Sequence, residues 1–512
     1  MQDWTSGYVS EIGYTYGYYN ELNPLKAKVA FLFAGFEEPA GGDIHCELGF
    51  GQGISTNIHA AASASTWYAN DFNPAQVSFA QALQEKSGSN ANMSEESFED
   101  FCNRKDLPTF SSIGLHGIWS WISEKNRENI VKFIKSKLAV GGVLYISYNT
   151  MPGWSSFVPI RQLMTSHVQL MGASANGLVN NIDGALEFAS KLFETNPDFL
   201  KANPMVSEKL KKLLSLDRNY LAHEYFNQDW QPMHFSEMQK WLERAKLDFA
   251  CSANLIDHID SINLKNDQIE LLETINDKYL KETVKDFCTN QQFRRDYWVK
   301  GLRKLNAQER IDKIRKIKII LITSVNEIKY KILGTHGEIT LNENIYKPII
   351  NCLINHEPKI LYDIEREIIR ENIKFDNFAQ AIFILIALGN ISVIQDEEKI
   401  LKSKIQTDRL NKYIISKAAY NAEINFLASP VIGAGISVNR FQQLFLLGKE
   451  NGKKFPKEWA EFAWMKIENL NQRIVANGVA LGTSEENISE LIKQAEDFEK
   501  NRLPILKVLG VV

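Results

Sequence analysis

The sequence predicts an α/β domain at the N-terminal end of the chain, followed by mostly helical accessory regions. Three observations support this fold class. Strand-like and helix-like segments alternate between residues 43 and 149, a loop with glycine at 49, 51 and 53 joins the first such pair, and the periodicity beyond about residue 155 is mostly helical. Because parallel strands need a crossover connection, usually a helix, the alternation favours a parallel sheet with helices on both faces.

The predicted elements of the α/β domain follow one another at short intervals. A helix at 24–33 precedes strands at 43–48, 66–71, 90–94, 110–116 and 143–149, with helices at 54–63, 74–86 and 124–138 between them. The last helix has the clearest pattern, because Ser123 is placed to cap it and an apolar stripe is formed by Ile130, Val131, Ile134 and Leu138. Gly141 and Gly142 are expected to end it.

Four domains are predicted from these patterns and from the length of 512 residues. They are a sheet domain, a mostly helical middle domain, a third module and a helical C-terminal domain, at 1–155, 156–330, 331–400 and 401–512. In the third module, apolar-periodic segments at 343–354, 360–371 and 376–388, followed by a short strand, resemble a winged helix. Residues 377–388 include no Lys or Arg, so packing or partner contact is favoured over DNA binding.

Charge is unevenly distributed along a chain whose net charge is only −4. Residues 1–110 contain five Lys and Arg against fourteen Asp and Glu, whereas residues 281–331 contain fourteen against six. Two interpretations stay open: solvated faces or a contact between domains, and a basic wall that steers an acidic protein substrate. Nucleic-acid binding would need a denser basic stripe with stacking aromatics, so it is not predicted.

The cysteines and the apolar segments indicate the cellular compartment in which the protein is expected. The five cysteines are scattered and form no C-x-x-C pair, which predicts a reducing environment without structural zinc. His223-Glu224 has no second histidine at helical spacing, so no metal site is predicted there. The start of the chain lacks a signal-peptide pattern, and the longest apolar run, Ala379 to Leu388, is too short to span a bilayer. A cytoplasmic protein without membrane insertion is therefore expected.

The glycine loop predicts a pocket for an adenosine-bearing cofactor. Gly49, Gly51 and Gly53 bring bare backbone to a helix start, where free N–H groups can donate hydrogen bonds to an anionic group. Asp71 ends the next strand, about 20 residues on, and is placed to bind ribose hydroxyls. The spacing is G-x-G-x-G after Glu47, whereas NAD-binding loops follow G-x-G-x-x-G.

This acidic–x–G–x–G–x–G arrangement resembles class I S-adenosylmethionine (SAM) methyltransferases, which implies SAM as cofactor. The resemblance places Glu47 and the loop backbone against the methionine portion and Asp71 against the ribose. A departure from the family pattern is Glu95-Glu96, where an aspartate is often found before the adenine contact. Tyr18 is expected to fold over the cofactor as part of a lid. Phe72 and Asn73, next to Asp71, are also assigned to the cofactor, and Ser97 and Phe98 are assigned to its adenine.

Further segments are similar to bacterial methyltransferases that carry a methyltransferase regulatory domain. These segments lie at 14–19, 114–121, 147–154, 219–225 and 293–301, with a looser likeness at 426–430. Within that group, the chain resembles the rickettsial protein lysine methyltransferases that act on outer membrane protein B. The resemblance implies a protein-lysine N-methyltransferase, an outer-membrane protein as substrate partner, and a homodimer.

Methyl transfer to lysine needs an uncharged amine aligned with the C–S bond, although lysine has a reference pKa of about 10.4. His116, which ends the fourth strand, is predicted to border the sulfonium or relay a proton, or to be a structural histidine. Tyr148 and Asn149 are predicted to orient the amine, unless they form a polar turn. Aromatic side chains are predicted to wall the lysine channel through cation–π contact, or else to belong to the core: Tyr14, Tyr16, Trp119, Trp121 and Trp154.

Two other functions remain open from the sequence. The first is a methyltransferase for a small molecule or nucleic acid, although no Asn/Asp-Pro-Pro-aromatic motif of base amino-methylases follows the fourth strand. The second is a SAM-binding regulatory protein without turnover, because an intact glycine loop and Asp71 do not distinguish binding from catalysis.

Overall fold

A seven-stranded sheet organises the N-terminal 300 residues in the computed structural model, which describes residues 15–172, 177–476 and 478–512. The strand order is β3-β2-β1-β4-β5-β7-β6, and β1 to β5 run parallel while β7 pairs antiparallel with both neighbours. The strands are β1 Ile44–Leu48, β2 Thr66–Asp71, β3 Ala91–Glu95, β4 Phe110–Leu115, β5 Leu138–Asn149, β6 Asp248–Ser252 and β7 Phe293–Val299.

The helices between the parallel strands confirm the predicted α/β alternation. They are α2 Ile54–Ser63, α3 Pro74–Ser87, α4 Phe98–Asn103 and α5 Glu124–Lys137, and α1 Pro24–Phe33 precedes the first strand. Local sequence explains where they begin: Asn73 accepts hydrogen bonds from the first turn of α3, and Ser123 accepts one from the first turn of α5. The short α4, capped by Ser97, was not predicted from the sequence.

Helix α5 ends earlier than the sequence predicts. Its last residue is Lys137, and Leu138 already has extended backbone angles and pairs with Phe110. Leu138 is therefore the first residue of β5 rather than part of the helical stripe, and Gly141 and Gly142 lie inside the strand instead of ending the helix. The expectation was wrong because an apolar residue at that spacing suits a buried strand as well as a helix.

The middle of the chain contributes helices and also two strands to the sheet. Its helices are α6 Val158–Met171, α7 Gly177–Glu194, α8 Asp198–Ala202, α9 Met205–Leu214, α10 Arg218–Tyr225, α11 Phe235–Glu243, α12 Asp260–Asn263, α13 Asn266–Glu273 and α14 Lys278–Thr289. Strands β6 and β7 come from this same part of the chain, so the sheet extends well beyond the predicted boundary at residue 155.

The third region has the predicted three helices and short strand. Its elements, with those leading into it, are α15 Ala307–Arg315, β8 Lys318–Leu321, β9 Lys331–Gly334, β10 Gly337–Thr340, α16 Glu343–Cys352, β11 Lys359–Ile360, α17 Leu361–Glu367, α18 Phe375–Ala387 and β12 Ile391–Val393. Helix α18 is buried along Phe378, Ile382 and Leu385, and it packs with Phe33 of the N-terminal domain through Phe383. This helix serves packing within the chain.

The C-terminal region is helical with two small hairpins. Its elements are α19 Glu397–Lys417, β13 Phe426–Ser429, β14 Ala434–Ser437, α20 Arg440–Glu450, α21 Pro456–Glu468, β15 Val475–Ala476, β16 Val479–Ala480, α22 Ser484–Asp497 and α23 Leu503–Val508. It shares an apolar core with α2 and α3, where Ile58, Ala61 and Leu83 meet Leu410 and Ile414. The helices behind the glycine loop are therefore covered by the end of the chain.

Membrane insertion finds no support among these helices. The longest of the described ones, α19, has 21 residues and is charged along its length. Within the described ranges, none meets the length and hydropathy that a bilayer span requires.

Trp298 anchors β7 to the helical layer, and its removal tests that packing. The indole is fully buried against the rings of Phe235, Phe249 and Tyr279. Trp298→Ala is expected to lower the free energy of unfolding by about 3–5 kcal/mol, because it leaves a large cavity in a close-packed core. Urea denaturation followed by circular dichroism measures this, with the exposed Val140→Ala as control. A loss below about 1 kcal/mol would contradict the packing.

Candidate functional site

A cleft opens at the carboxyl ends of β1, β2 and β4. This is where the strand order reverses between β1 and β4, which is the usual ligand position in an open α/β sheet. Of the described residues that line the cleft, four are acidic and none is Lys or Arg. The acidic residues are Glu47, Asp71, Glu96 and Asp229.

The glycine loop forms the floor of the cleft because its backbone adopts conformations that suit glycine. Gly49, Gly51 and Gly53 have φ of +71°, +57° and +66°. A Cβ on Gly49 would lie 2.5 Å from Cδ1 of Ile118, and one on Gly53 would lie 2.6 Å from Cβ of Ala80. Gly49 and Gly51 line the cleft, whereas Gly53 lets α2 pack closely against α3.

Two buried carboxylates flank this loop. The Thr56 hydroxyl donates to the Glu47 carboxylate, and burial raises the pKa of Glu47 to about 8. Asp71 accepts from the N–H groups of Gly51 and Asn73, at 2.8 and 2.9 Å. Burial raises the pKa of Asp71 to about 6, although those backbone donors lower it. Both acids therefore favour a ligand that offers positive charge or hydrogen-bond donors.

His116 lines the cleft together with Tyr19, and it also contacts Tyr145. Its ring is stacked on Tyr19 with 3.4 Å between centroids, and its Nδ1 lies 2.7 Å from the Tyr145 hydroxyl. Burial lowers the pKa of His116 to about 4, so the imidazole is neutral at physiological pH. A neutral imidazole held on both sides is a positioned hydrogen-bonding group rather than a charged one.

The structure brings together nine of the residues predicted for the site. Those that line the cleft are Glu47, Gly49, Gly51, Asp71, Phe72, Ser97, Phe98, His116 and Trp121. Predicted residues that do not line it are Tyr16, Tyr18, Gly53, Asn73, Trp119, Tyr148, Asn149 and Trp154. Tyr14 lies outside the described residues.

Tyr148 faces away from His116 for a geometric reason, whereas Asn149 is buried at the end of β5 and does not line the cleft. Side chains alternate along a strand, so Tyr145 and Ser147 of β5 share the face that contacts the His116 segment. Ser147 accepts from the Gly117 N–H at 2.8 Å, while the Tyr148 hydroxyl donates to Asp296 on the other side. Tyr145, which the sequence interpretation passed over, occupies the position next to His116.

The aromatic residues predicted for a lysine channel mostly belong to the core. Trp119 is fully buried and its Nε1 donates to Sδ of Met233. Trp154 lies in the middle domain, where the Lys209 ammonium sits 3.5 Å from its ring centroid. Trp121 does line the cleft, and its Nε1 donates to the carbonyl of Glu224 at 3.4 Å.

Other residues of the cleft were missed because they arrive from distant segments. Asp229 reaches it from the loop after α10, and Tyr19 from the segment before α1. Glu96, which follows β3, and Asn126, in the first turn of α5, also line the cleft. The only sequence feature that pointed toward Asp229 was a polar connection, which is common in any loop.

Tyr18 and Asn73, predicted to touch the cofactor, have structural contacts instead. The Tyr18 hydroxyl accepts from the Gly435 N–H at 2.7 Å and its ring packs on Phe426. Asn73 caps α3 and fixes the carboxylate of Asp71 through its own N–H. Over the described ranges, no group of three His, Cys, Asp or Glu side chains is arranged to hold a metal ion.

The chain is similar to known proteins over nearly its whole length. Protein sll1526 of Synechocystis sp. is 38% identical over 512 residues, which is 99% of each chain. Protein RP789 of Rickettsia prowazekii is 28% identical over 216 residues, covering 41% of this chain and 37% of that protein. Residues 217–300 match the family model of the predicted methyltransferase regulatory domain, in agreement with the segments at 219–225 and 293–301.

Among solved structures, PKMT2 from Rickettsia typhi in complex with AdoHcy has a TM-score of 0.65 at 18% identity, over 98% of this chain and 100% of that one. PKMT2 without that ligand gives a TM-score of 0.64 at 17% identity. The fold is thus that of a class I methyltransferase sheet with helical accessory regions, as the sequence predicted.

The neutral state of His116 can be tested by its titration. Because burial holds its pKa near 4, below the usual 6.5, protonation is disfavoured in the folded chain. Folding stability from this ring is complete above pH 6.5 and is lost progressively as the pH falls toward 4.

NMR of labelled histidine rings measures the titration, and His116→Gln identifies the resonance among nine histidines. The expected midpoint is about 4. A His116 midpoint between 6 and 7 would contradict the burial and the contact with Tyr145.

Proposed function

We propose that this chain, which belongs to the same family as protein sll1526 of Synechocystis, is a SAM-dependent methyltransferase. One observation carries the proposal: a glycine loop and Asp71 of the adenosine-binding kind border a cleft whose described lining has four carboxylates and no Lys or Arg. SAM carries a sulfonium and an ammonium group, so this charge distribution suits it. A phosphate-bearing dinucleotide would instead meet four carboxylates.

The residues present fit such a cofactor. Gly49 and Gly51 line the cleft, and because they have no Cβ their backbone can approach a ligand closely. Asn70 lines the cleft, and its Oδ1 is buried without a hydrogen-bond partner. A buried acceptor without a donor is unfavourable, and a donor on the cofactor would satisfy it. In this proposal Asp71 would hold the ribose hydroxyls, and Glu47 would balance positive charge of the methionine portion.

We further propose a lysine side chain of a protein as the methyl acceptor. SAM supplies the electrophilic methyl group, while the chain's own residues must bind the amine and keep it neutral. Tyr19, Phe98 and Trp121 give the cleft aromatic surface for an ammonium or methylammonium group. Burial next to the sulfonium of SAM would lower the pKa of the lysine amine. His116, which is neutral, would then offer the amine a hydrogen-bond partner without adding charge.

Asp229 supports a cationic acceptor over nucleic acid. It brings a carboxylate from the middle domain to the cleft, where a phosphate backbone would be repelled. The fold shared with PKMT2 from Rickettsia typhi agrees with this proposal. An outer-membrane protein as the substrate, a homodimer and a cytoplasmic location stay predictions that rest on the family resemblance.

Asp71→Ala tests the cofactor assignment. We expect it to weaken SAM binding at least tenfold, about 1.4 kcal/mol, through loss of a charge-assisted hydrogen bond to ribose. Titration calorimetry with SAM measures the affinity. The variant also removes an acceptor for the N–H groups of Gly51 and Asn73, so a second variant is needed.

Asp71→Asn serves as that variant, because its remaining oxygen still accepts from the loop. It should keep the fold and retain intermediate affinity, whereas Asp106→Asn, an exposed acid outside the cleft, should bind SAM as the unaltered protein does. An unchanged affinity in folded Asp71→Ala would reject the ribose assignment.

Methyl transfer is tested with methyl-labelled SAM and three acceptors: a bacterial outer-membrane protein, RNA and DNA. Label is expected on lysine side chains of the protein only. Asp229→Asn is expected to raise KM for the protein about tenfold while the Kd for SAM is unchanged, because it removes charge that attracts the lysine.

Gly49→Arg is the inactive control, since a side chain there collides with Ile118. Label on RNA or DNA instead would replace the lysine proposal with nucleic-acid methylation. Label on none of the three would reject the lysine proposal and favour a SAM-binding protein without turnover on macromolecules.

A further inference from the structure

A second cavity of about 420 Å³ lies at the edge of the sheet formed by β6 and β7. Strands β6 and β7 and helix α14 form most of it, and Phe33 and Phe36 close it from the N-terminal domain. Thr335, between β9 and β10, reaches it from the third region. No residue lines both this cavity and the cleft.

The cavity contains five carboxylates and few cations. The carboxylates are those of Asp257, Asp260, Glu282, Asp286 and Asp296. Lys285, Arg294 and Arg295 also line the cavity. Of these, Arg295 pairs with Glu21, which lies outside the cavity, at 2.9 Å. The five acids are thus balanced only by Lys285 and Arg294.

Both of these cations are already shared among several acids. Arg294 contacts Asp286 at 2.6 Å, Asp296 at 3.0 Å and Glu282 at 2.9 Å. Lys285 contacts Asp260 at 2.8 Å and Glu282 at 3.7 Å. Both cations are therefore already paired with acids of the lining, and the acids of the lining outnumber its cations.

Asp286 provides an independent sign of a missing partner. It lines the cavity, its residue is only 3% exposed, and Arg294 contacts only its Oδ1. Its Oδ2 is buried and has no hydrogen-bond partner. Burial, together with the charge of Asp296, raises the pKa of Asp286 to about 7, although Arg294 lowers it.

We propose that this cavity binds an organic cation with several amino groups, which donates to Asp286 Oδ2 and to the surrounding carboxylates. The described acids form no cluster suited to a metal ion, and the volume far exceeds that of a bare ion. Amino groups on a flexible chain match acids that are spread over a strand, a helix and a loop. This binding is independent of methyl transfer.

The cavity is also connected to the cleft through β7. Asp296 in the cavity accepts from the Tyr148 hydroxyl at 2.8 Å. The next residue, Tyr297, donates to the Glu21 carbonyl at 2.7 Å, two residues beyond the Tyr19 that stacks on His116. A cation bound beside Asp296 is therefore in contact with the strand that supports the cleft.

Spermidine is the probe, and calorimetry on the full chain in the absence of SAM measures its affinity. Asp286→Asn is expected to weaken binding about tenfold, the loss typical of one charged contact. Lys285→Gln is expected to strengthen binding several-fold, because it releases Asp260 and Glu282 for the ligand. Opposite effects of these substitutions are not expected from loss of packing alone.

Two further variants keep the test decisive. Asp260→Asn changes a half-exposed acid of the same cavity, so it reports on binding even if Asp286→Asn fails to fold. Glu338→Gln removes the same charge on an exposed hairpin outside the cavity and should leave affinity unchanged. Equal affinity in all variants, or binding of inorganic phosphate with no binding of spermidine, would overturn the proposal whatever the outcome of the methylation assay.

Discussion

The burial of Arg294 among three carboxylates is the interaction on which the arrangement of this molecule depends. Its guanidinium is 6% exposed and contacts Glu282 and Asp286 of α14 and Asp296 of its own strand. Removing either side would leave an uncompensated buried charge, which is costly. These contacts hold strand β7 against α14. Because β7 also pairs with β5, the middle domain and the N-terminal domain share one sheet.

Because side chains alternate between the two faces of β7, the same strand also contacts the segment that borders the cleft. Arg294 and Asp296 face α14, whereas Arg295 and Tyr297 face the segment before α1. Arg295 pairs with the Glu21 carboxylate and Tyr297 donates to the Glu21 carbonyl, so this segment is held beside β7. Tyr19 thereby reaches the ring of His116. One strand thus supports both the wall of the cleft and the second cavity.

These relations explain which features the sequence could predict. The glycine loop, the capping residues and Asp71 are local, because the backbone and neighbouring residues alone determine what they do. Tyr145 and Tyr148 are three residues apart on one strand, and only the register of β5 against β4 and β7 decides which faces His116. Asp229 and the antiparallel insertion of β7 depend on contacts between residues far apart in sequence, for which a single sequence carries no pattern.

The uneven charge of the chain also has a structural explanation. Lys313 pairs with Glu37 at 2.8 Å, Arg295 pairs with Glu21, and Arg310 donates to the Phe33 carbonyl at 2.6 Å. These cations of the basic segment face the acidic N-terminal region, so they contribute to a contact between domains rather than a wall at the cleft. The cleft has carboxylates and no Lys or Arg among its described lining residues. The two concave sites described above both carry more acids than cations in their lining, one beside aromatic rings and the glycine loop, the other around Arg294 and Lys285.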